Sequence, residues 1–243
     1  MQHSHISGPQ LFFATTNLPC PYIDGQVERR VVTELVGRGA IALHDQLSLA
    51  GFRRSHGIVY APACPFCQAC LAVRVVIDGF KMNKSQRRVW NKNADLTVEI
   101  TPAVATSEQF ELFDRYQKNR HAGGDMAKMD FSEFQALVEE TPVETSAVEF
   151  RDQDDLLVGV LLIDYVEGGI SAVYSFFDPV EKKRSLGSQV ILWLVEFAKS
   201  RSLKYVYLGY WVKGSPKMAY KSKFSPLEVC TIKGWKIFDS LKI

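Results

Sequence analysis

Three cysteines in this 243-residue chain stand at the spacing of a metal site. Cys64, Cys67 and Cys70 are separated by two residues each, and such gaps let successive thiolates turn toward one ion or cluster. Cys20, between two prolines, can supply a fourth thiolate. The sequence therefore predicts a site of Cys20, Cys64, Cys67 and Cys70 for structural zinc or an iron–sulfur cluster. Reduced, unliganded thiols or a redox pair are the alternatives.

Two stretches contain basic residues and no acidic ones, residues 81–94 and residues 204–227. In the first, Lys84, Arg88 and Lys92 share one face of a predicted helix. The second alternates lysines with tyrosines and a tryptophan, a combination that suits phosphates and stacked, unpaired bases. These stretches favour RNA as a partner. The alternative is a solvated face backed by core aromatics.

The net charge of +2 is the sum of unlike segments. Residues 1–104 carry a balance of +4, residues 105–181 a balance of −12 and residues 182–243 a balance of +10. Such asymmetry indicates contact with a polyanion. The alternative is that charged, solvent-exposed faces happen to be segregated along the sequence. With 47% apolar and 23% charged residues, the composition is that of a soluble globular protein, which excludes disorder over the whole chain.

The chain shows no membrane or export signal. Its first residues lack the basic and apolar segments of a secretory signal. The longest apolar run, 156–163, has eight residues, far fewer than a membrane span needs. We therefore expect a cytoplasmic protein with reduced thiols and no membrane partner.

The elements that must position these groups follow from hydrophobic periodicity and turn residues. The back half predicts helices over 107–121, 131–140 and 180–201, and strands over 146–151, 156–166, 169–177 and 203–211. The first three of these strands form an antiparallel meander. A meander, a helix and a further strand is the order of acetyltransferase-like (GNAT-type) folds. We expect an α+β fold with a mixed sheet flanked by helices, comprising a Cys-bearing N-terminal subdomain (1–104) and an acetyltransferase-like domain (105–243).

Short sequence motifs extend the resemblance to known proteins across nearly the whole chain. They are Cys20-Pro-Tyr-Ile, Glu28-Arg-Arg-Val-Val-Thr-Glu34-Leu, Arg53-Arg-Ser55, the three-cysteine loop, Ser85-Gln-Arg-Arg88, Tyr116-Gln, Arg120-His121, Ser171-Ala-Val-Tyr-Ser-Phe-Phe-Asp-Pro179, Arg184-Ser-Leu-Gly187, Leu208-Gly-Tyr-Trp and Pro216-Lys-Met-Ala-Tyr-Lys221. In this order they resemble the bacterial aspartate/glutamate leucyltransferases, relatives of the eukaryotic arginyl-tRNA–protein transferases.

This resemblance implies transfer of leucine from Leu-tRNA to the α-amino group of proteins that begin with Asp or Glu, which marks them for degradation in an N-degron pathway. It implies no cofactor for the transfer itself and no DNA partner. The eukaryotic relatives carry Cys-x-x-Cys near the N-terminus, whereas Cys20 stands alone here, so the identity of the metal stays open. The alternatives are an arginyl-tRNA–protein transferase, a coenzyme A-dependent N-acetyltransferase and a non-catalytic RNA-binding module.

The expected chemistry demands little of the protein. An aminoacyl ester is already activated, and a model α-amino group with a pKa of about 7.7–8.0 is partly neutral at pH 7. Placing amine and carbonyl in contact supplies most of the acceleration. This agrees with a sequence that shows no obvious nucleophile triad.

We assign candidate residues on this basis. Tyr116, Arg120 and His121 are expected at the acceptor N-terminus, with Arg120 clamping its carboxylate. His121 as a residue favoured by the helix dipole is the alternative. Tyr174 and Asp178 are expected at the reaction centre. The expected tRNA contacts are Lys84, Arg87, Arg88, Lys213, Lys217 and Lys221.

The segment 184–187 carries one glycine, whereas a pyrophosphate-binding loop before a helix is glycine-rich. The sequence therefore gives little support for coenzyme A. A phosphate of the tRNA end can use the same helix N-terminus.

Overall fold

A computed structural model describes residues 9–239 of the chain. The helices of this part are α1 (Ala40–Leu49), α2 (Lys84–Lys92), α3 (Ser107–Arg120), α4 (Phe131–Glu139) and α5 (Leu186–Ser200). Short 3-10 helices include Lys182–Arg184 and Pro216–Lys223. No helix in residues 9–239 is long and apolar enough to cross a membrane.

The strands lie in three sheets. The N-terminal strands are β1 (Phe13–Ala14), β2 (Leu18–Pro19), β3 (Val27–Glu28), β4 (Arg30–Glu34), β5 (Arg53–Ser55) and β6 (Ile58–Pro62). The remaining strands are β7 (Cys70–Val76), β8 (Thr97–Pro102), β9 (Thr145–Arg151), β10 (Leu157–Val166), β11 (Gly169–Phe177), β12 (Tyr205–Val212), β13 (Leu227–Thr231) and β14 (Gly234–Ile237).

The largest sheet has eight strands in the order β14-β13-β7-β12-β11-β10-β9-β8. Strands β9, β10 and β11 form the predicted antiparallel meander, and α5 leads from β11 to its parallel neighbour β12. The predicted α+β fold with a mixed sheet flanked by helices is confirmed.

The N-terminal part contributes to this sheet as well. Strands β7 and β8 precede residue 104, yet β7 lies between β12 and β13 and β8 forms the edge beside β9. A separate four-stranded sheet, in the order β1-β4-β6-β5, is made from residues before 63. A boundary at residue 104 therefore does not separate the two sheets.

Aromatic packing fixes α3 over the end of β11. The ring centroid of Phe176 in β11 lies 5.5 Å from that of Phe113 in α3 and 5.9 Å from that of Phe134 in α4. All three side chains are fully buried, and burial of each contributes roughly 1.5–3 kcal/mol. The side chain of Thr106 caps the first turn of α3 in a capping box with Gln109. The C-terminal end of α3 is thereby held beside the end of β11.

A buried ion pair docks the four-stranded sheet onto the large one. Arg54 of β5 meets Asp164 of β10 through two bonds, Nε to Oδ2 at 2.6 Å and Nη2 to Oδ1 at 2.8 Å. Thr145 Oγ1 donates to the same carboxylate at 2.7 Å, and Asp164 has no exposed surface. Because removal of one partner from such a pair costs about 3–5 kcal/mol, this contact strongly fixes the position of β5.

Candidate functional site

Arg53 fills the gap between two diverging strands. The parallel strands β11 and β12 pair only over Gly169–Ser171 and Tyr205–Tyr207. Beyond that point the guanidinium of Arg53 donates from Nη1 to Ser171 Oγ at 2.9 Å and from Nη2 to the carbonyls of Ala172 and Val173. At the point where β11 and β12 separate, backbone carbonyl groups of β11 thus accept hydrogen bonds from a side chain of the four-stranded sheet.

Gly209 of β12 makes room for this arginine. Its φ is +73°, and a Cβ at this position would lie 2.8 Å from Nε of Arg53. The register of β12 against β7 also shifts between Tyr207 and Gly209, as at a bulge. Neither Arg53 nor Gly209 is among the residues predicted for the site. A lone glycine within an aromatic strand is the available sequence signal, since it marks a bulge or a close approach.

Lys221 is buried beside Arg53, which corrects the expectation of an exposed tRNA contact. In a 3-10 helix, residues four apart point about 120° away from each other. Lys217 is accordingly exposed, whereas Lys221 is 7% exposed and its Nζ donates to the carbonyl of Tyr210 at 2.7 Å. Burial, with a smaller contribution from the charge of Arg53, lowers the pKa of Lys221 to about 7.

The three predicted acceptor residues lie together at the end of α3. The ring of Tyr116 is 5.6 Å from that of His121 and 5.0 Å from that of Phe177, and the guanidinium of Arg120 lies over Phe177 at 5.0 Å. Burial and the charges of Lys217 and Arg120 lower the pKa of His121. The 216–223 turn therefore faces the end of α3. We call Arg53, Arg120, His121, Lys217 and Lys221 the basic cluster.

Two tyrosine hydroxyls accompany the basic cluster. Tyr174 of β11 accepts a hydrogen bond from Gln117 Nε2, and burial raises its pKa. Tyr220 keeps 38% of its surface exposed, while desolvation and the neighbouring Tyr116 raise its pKa to about 12. Both hydroxyls therefore stay protonated at neutral pH and can donate hydrogen bonds.

Asp178 has a different setting from Tyr174. Its Oδ1 accepts a hydrogen bond from the backbone N–H of Val180 at 2.8 Å, which fixes the turn after β11. Among the described residues, no hydrogen bond or ion pair joins its side chain to the basic cluster.

The exposed basic residues form a track that reaches the basic cluster. Lys84, Arg87 and Arg88 are exposed on α2, and Gln86 Nε2 donates to the carbonyl of Lys223 at 3.0 Å. This bond joins α2 to the 216–223 turn. Lys213 is exposed on the turn between β12 and this 3-10 helix.

Two further exposed lysines, which the sequence did not single out, continue this track. Lys182 and Lys183 precede Arg184, whose Nε donates to Asn93 Oδ1 and whose Nη2 pairs with Asp95 at 2.5 Å. Both Asn93 and Asp95 follow α2, so the 182–184 turn is anchored to its C-terminal end.

Gly187, the lone glycine of the segment 184–187, lies in the first turn of α5 and has a packing role. A Cβ at this position would lie 2.9 Å from the ring of Phe177. The aromatic contact under α5 therefore accounts for this glycine without a pyrophosphate ligand.

The four predicted metal ligands line one cavity. Cys20, Cys64, Cys67 and Cys70 line this cavity together with Tyr22, and the space between them is open to solvent. Burial and the neighbouring thiols raise the pKa of Cys70 to about 12. In residues 9–239 no three Cys, His, Asp or Glu side chains are close enough to hold an ion. The four thiols line one space, but in this part of the chain they do not enclose a position for a metal ion.

Comparisons with known proteins identify the family. Models of the arginine-tRNA-protein transferase N terminus and C terminus match residues 18–88 and 108–231. A protein of Paramagnetospirillum magneticum named aspartate/glutamate leucyltransferase is 52% identical over 98% of both chains. The chain belongs to the aspartate/glutamate leucyltransferase family. It is therefore an aminoacyltransferase.

Other relatives agree with this assignment to the leucyltransferase family. A Granulibacter bethesdensis protein of the same name is 51% identical over 94% of this chain and 85% of its own. Among solved structures, the chain is similar to FemX with a TM-score of 0.49 and 10% identity, over 81% of this chain and 68% of FemX.

Because Arg53 lies so close to Gly209, we expect substitution of this glycine to destabilise the protein, and Gly214 provides a matched control. Gly214 also has a positive φ, +82°, but nothing lies within 4 Å of its Cβ position. Gly214→Ala is expected to cost about 1–2 kcal/mol of unfolding free energy through backbone strain alone. Gly209→Ala is expected to cost a further 1–3 kcal/mol, since the guanidinium cannot move without losing its three acceptors.

Urea unfolding of both variants, repeated in an Arg53→Ala background, measures this difference. The extra cost at Gly209 should disappear when Arg53 is removed. Equal costs for the two glycines in the wild-type background would contradict the account of Arg53.

Proposed function

We propose that this enzyme transfers leucine from Leu-tRNA to the α-amino group of cytosolic proteins that begin with Asp or Glu, marking them for degradation. The observation that carries the proposal is the basic cluster. Within the described residues, none of its five members forms an ion pair with a carboxylate. An acidic acceptor supplies the anion that this site lacks, and the names of the close relatives agree with it.

The acceptor side follows from the cluster at the end of α3. Arg120 and His121 are the proposed contacts for the acidic side chain of the acceptor, and Tyr116 packs beneath them against Phe177. A guanidinium can bind a carboxylate through two parallel bonds. The positive charges of Arg53 and Lys217 add to this attraction.

The reaction centre requires positioning more than a nucleophile. The ester carbonyl of the donor is activated, so contact with the amine supplies much of the rate. We propose Tyr174, oriented by Gln117, as a hydrogen-bond donor to the reacting groups. Asp178 is proposed to act through the turn that it fixes between β11 and α5.

The tRNA is proposed to follow the basic track. Lys84, Arg87 and Arg88 on α2 face the acceptor stem in this hypothesis, and Lys213 and Lys217 lie nearer the aminoacyl end. Lys182 and Lys183 extend the surface beyond α2. Phosphate contacts of this kind supply affinity that falls steeply with salt.

The cysteine cavity adjoins the basic cluster through Tyr210, which lines the cavity and whose carbonyl accepts the hydrogen bond from Lys221. Four thiols around one space suit zinc or an iron–sulfur cluster by their donor type. A structural ion at Cys20, Cys64, Cys67 and Cys70 therefore remains our expectation for the loaded protein, and metal content measured after anaerobic purification tests it. No role in transfer is assigned to it.

A transfer assay tests the proposed function. Labelled Leu-tRNA and Arg-tRNA are each incubated with peptides that begin Asp, Glu, Asn or Ala. We expect label from Leu-tRNA on the Asp and Glu peptides alone, because only their side chains are anionic.

The other results of this assay separate the alternatives. Label from Arg-tRNA alone would identify an arginyltransferase. Binding of tRNA without consumption of either ester would support an RNA-binding module, and would overturn the proposal.

Charge removal tests the tRNA surface. Arg88→Ala and Lys217→Ala are each expected to weaken tRNA binding and to reduce the slope of log K against log salt by about 0.7–0.9. Lys199→Ala is the matched control, because this exposed lysine lies at the far end of α5, about 20 Å from the 182–184 turn. Equal effects of all three changes would overturn the proposed track.

A further inference from the structure

Among the lysines of residues 9–239, Lys221 alone is buried, and no acid pairs with it. Its Nζ has one hydrogen-bond acceptor, the carbonyl of Tyr210 at 2.7 Å, and lies 6.0 Å from the ring centroid of Tyr220. In residues 9–239 no carboxylate pairs with it. An ammonium group has three protons to donate, and only one of them has an acceptor at this position. The surroundings therefore favour the neutral form of the amine for part of the time.

The groups around Lys221 act in the same direction. Arg53 of β5 is anchored to β11 by three acceptors, so it cannot move away when Lys221 becomes charged. Lys217 lies on the same 3-10 helix as Lys221, the ring of Tyr220 lies beside Nζ, and Arg120 and His121 lie across from this turn at the end of α3. Burial and Arg53 together bring the pKa of Lys221 to about 7, which suits proton exchange at physiological pH.

The neighbouring groups are less suited to accept a proton. Burial raises the pKa values of Tyr116, Tyr210 and Tyr220, so their hydroxyls stay protonated. His121 has a pKa below its ordinary value of 6.5, further from that of an α-amino group. The pKa of Lys221 is therefore closer to that of an α-amino group than are the pKa values of the other titratable groups of this region.

We propose that Lys221 carries the proton during aminoacyl transfer, taking it from the attacking α-amino nitrogen and delivering it to the leaving ribose oxygen. This inference rests on the proposed function. The nitrogen lone pair of the neutral amine forms a C–N bond to the ester carbonyl carbon, and the C–O bond to ribose breaks. One proton passes from nitrogen to Nζ and from Nζ to the ribose oxygen, so Lys221 ends neutral, as it began.

Single-turnover rates across pH 5.5–9 test this role, measured with Leu-tRNA and an Asp-peptide at saturating concentrations. In the wild type the rate should rise with pH through about 7, because only the neutral amine accepts a proton. Lys221→Met should lower the rate about 10²–10⁴-fold and remove this inflection, leaving that of the acceptor amine near 8. Lys221→Arg should be equally slow, because a guanidinium stays charged.

Controls separate catalysis from folding and binding. Lys223→Met changes an exposed lysine of the same turn and should keep the inflection near 7. The melting temperature of Lys221→Met should not fall, since methionine has no charge to desolvate at this position. The acceptor KM should change less than about threefold.

Each result that would contradict the proton role of Lys221 has a different meaning. A raised acceptor KM with an unchanged rate in Lys221→Met would show that Lys221 binds the acceptor carboxylate, and would overturn the proton role. An inflection near 7 that persists in Lys221→Met would do the same, with the proposed function intact. Absence of leucine transfer by the wild type would overturn the proposed function and this inference together.

Discussion

The guanidinium of Arg53 in the gap between β11 and β12 is the contact on which the site depends. It satisfies the carbonyl groups of β11 where the parallel strands separate, and it requires a glycine at position 209. Because β5 also carries Arg54, which pairs with the buried Asp164, two consecutive residues dock the small sheet onto the large one. The same docking places a fixed positive charge next to Lys221.

This arrangement explains why the near-neutral net charge says little about the protein. The acidic segment 105–181 contains Asp164, whose carboxylate is consumed by Arg54 inside the protein, and Glu108 and Glu149, which both pair with Arg151. The cations at the end of α3 and on the 216–223 turn have no such partners in the described residues. A basic cluster therefore coexists with an acidic middle segment, of which these three carboxylates are paired away from the cluster.

Much of the large sheet could be predicted from the sequence, because residues that are close together in the sequence mark its strands and turns. Paired turn residues at 154–155 and 167–169 bound the strands of the meander, and apolar periodicity marks α5. Strand β4 was missed because Arg30–Glu34 has no alternating pattern: its fourth residue, Thr33, is fully buried and is held by hydrogen bonds to residues 10 and 11. The sequence indicates one strand within residues 227–238, whereas the structure has the hairpin of β13 and β14 there, with its turn at Ile232-Lys233.

The site was predicted less completely, for a physical reason. Tyr116, Arg120 and His121 are neighbours along one helix, so a sequence motif brings them together directly. Arg53 and Lys221 acquire their chemistry only from contacts between distant segments, where a long cationic side chain that is usually exposed becomes buried. The four cysteines line one cavity, and spacing alone does not determine whether the thiols close around an ion.

The central claim is that the basic cluster serves transfer from Leu-tRNA rather than from coenzyme A. Calorimetric titration of the purified protein with acetyl-CoA, alongside Leu-tRNA, tests it most directly. The account predicts saturable binding of Leu-tRNA and no detectable binding of acetyl-CoA up to about 1 mM, which corresponds to an affinity weaker than about 4 kcal/mol. Saturable acetyl-CoA binding at micromolar concentrations would contradict it.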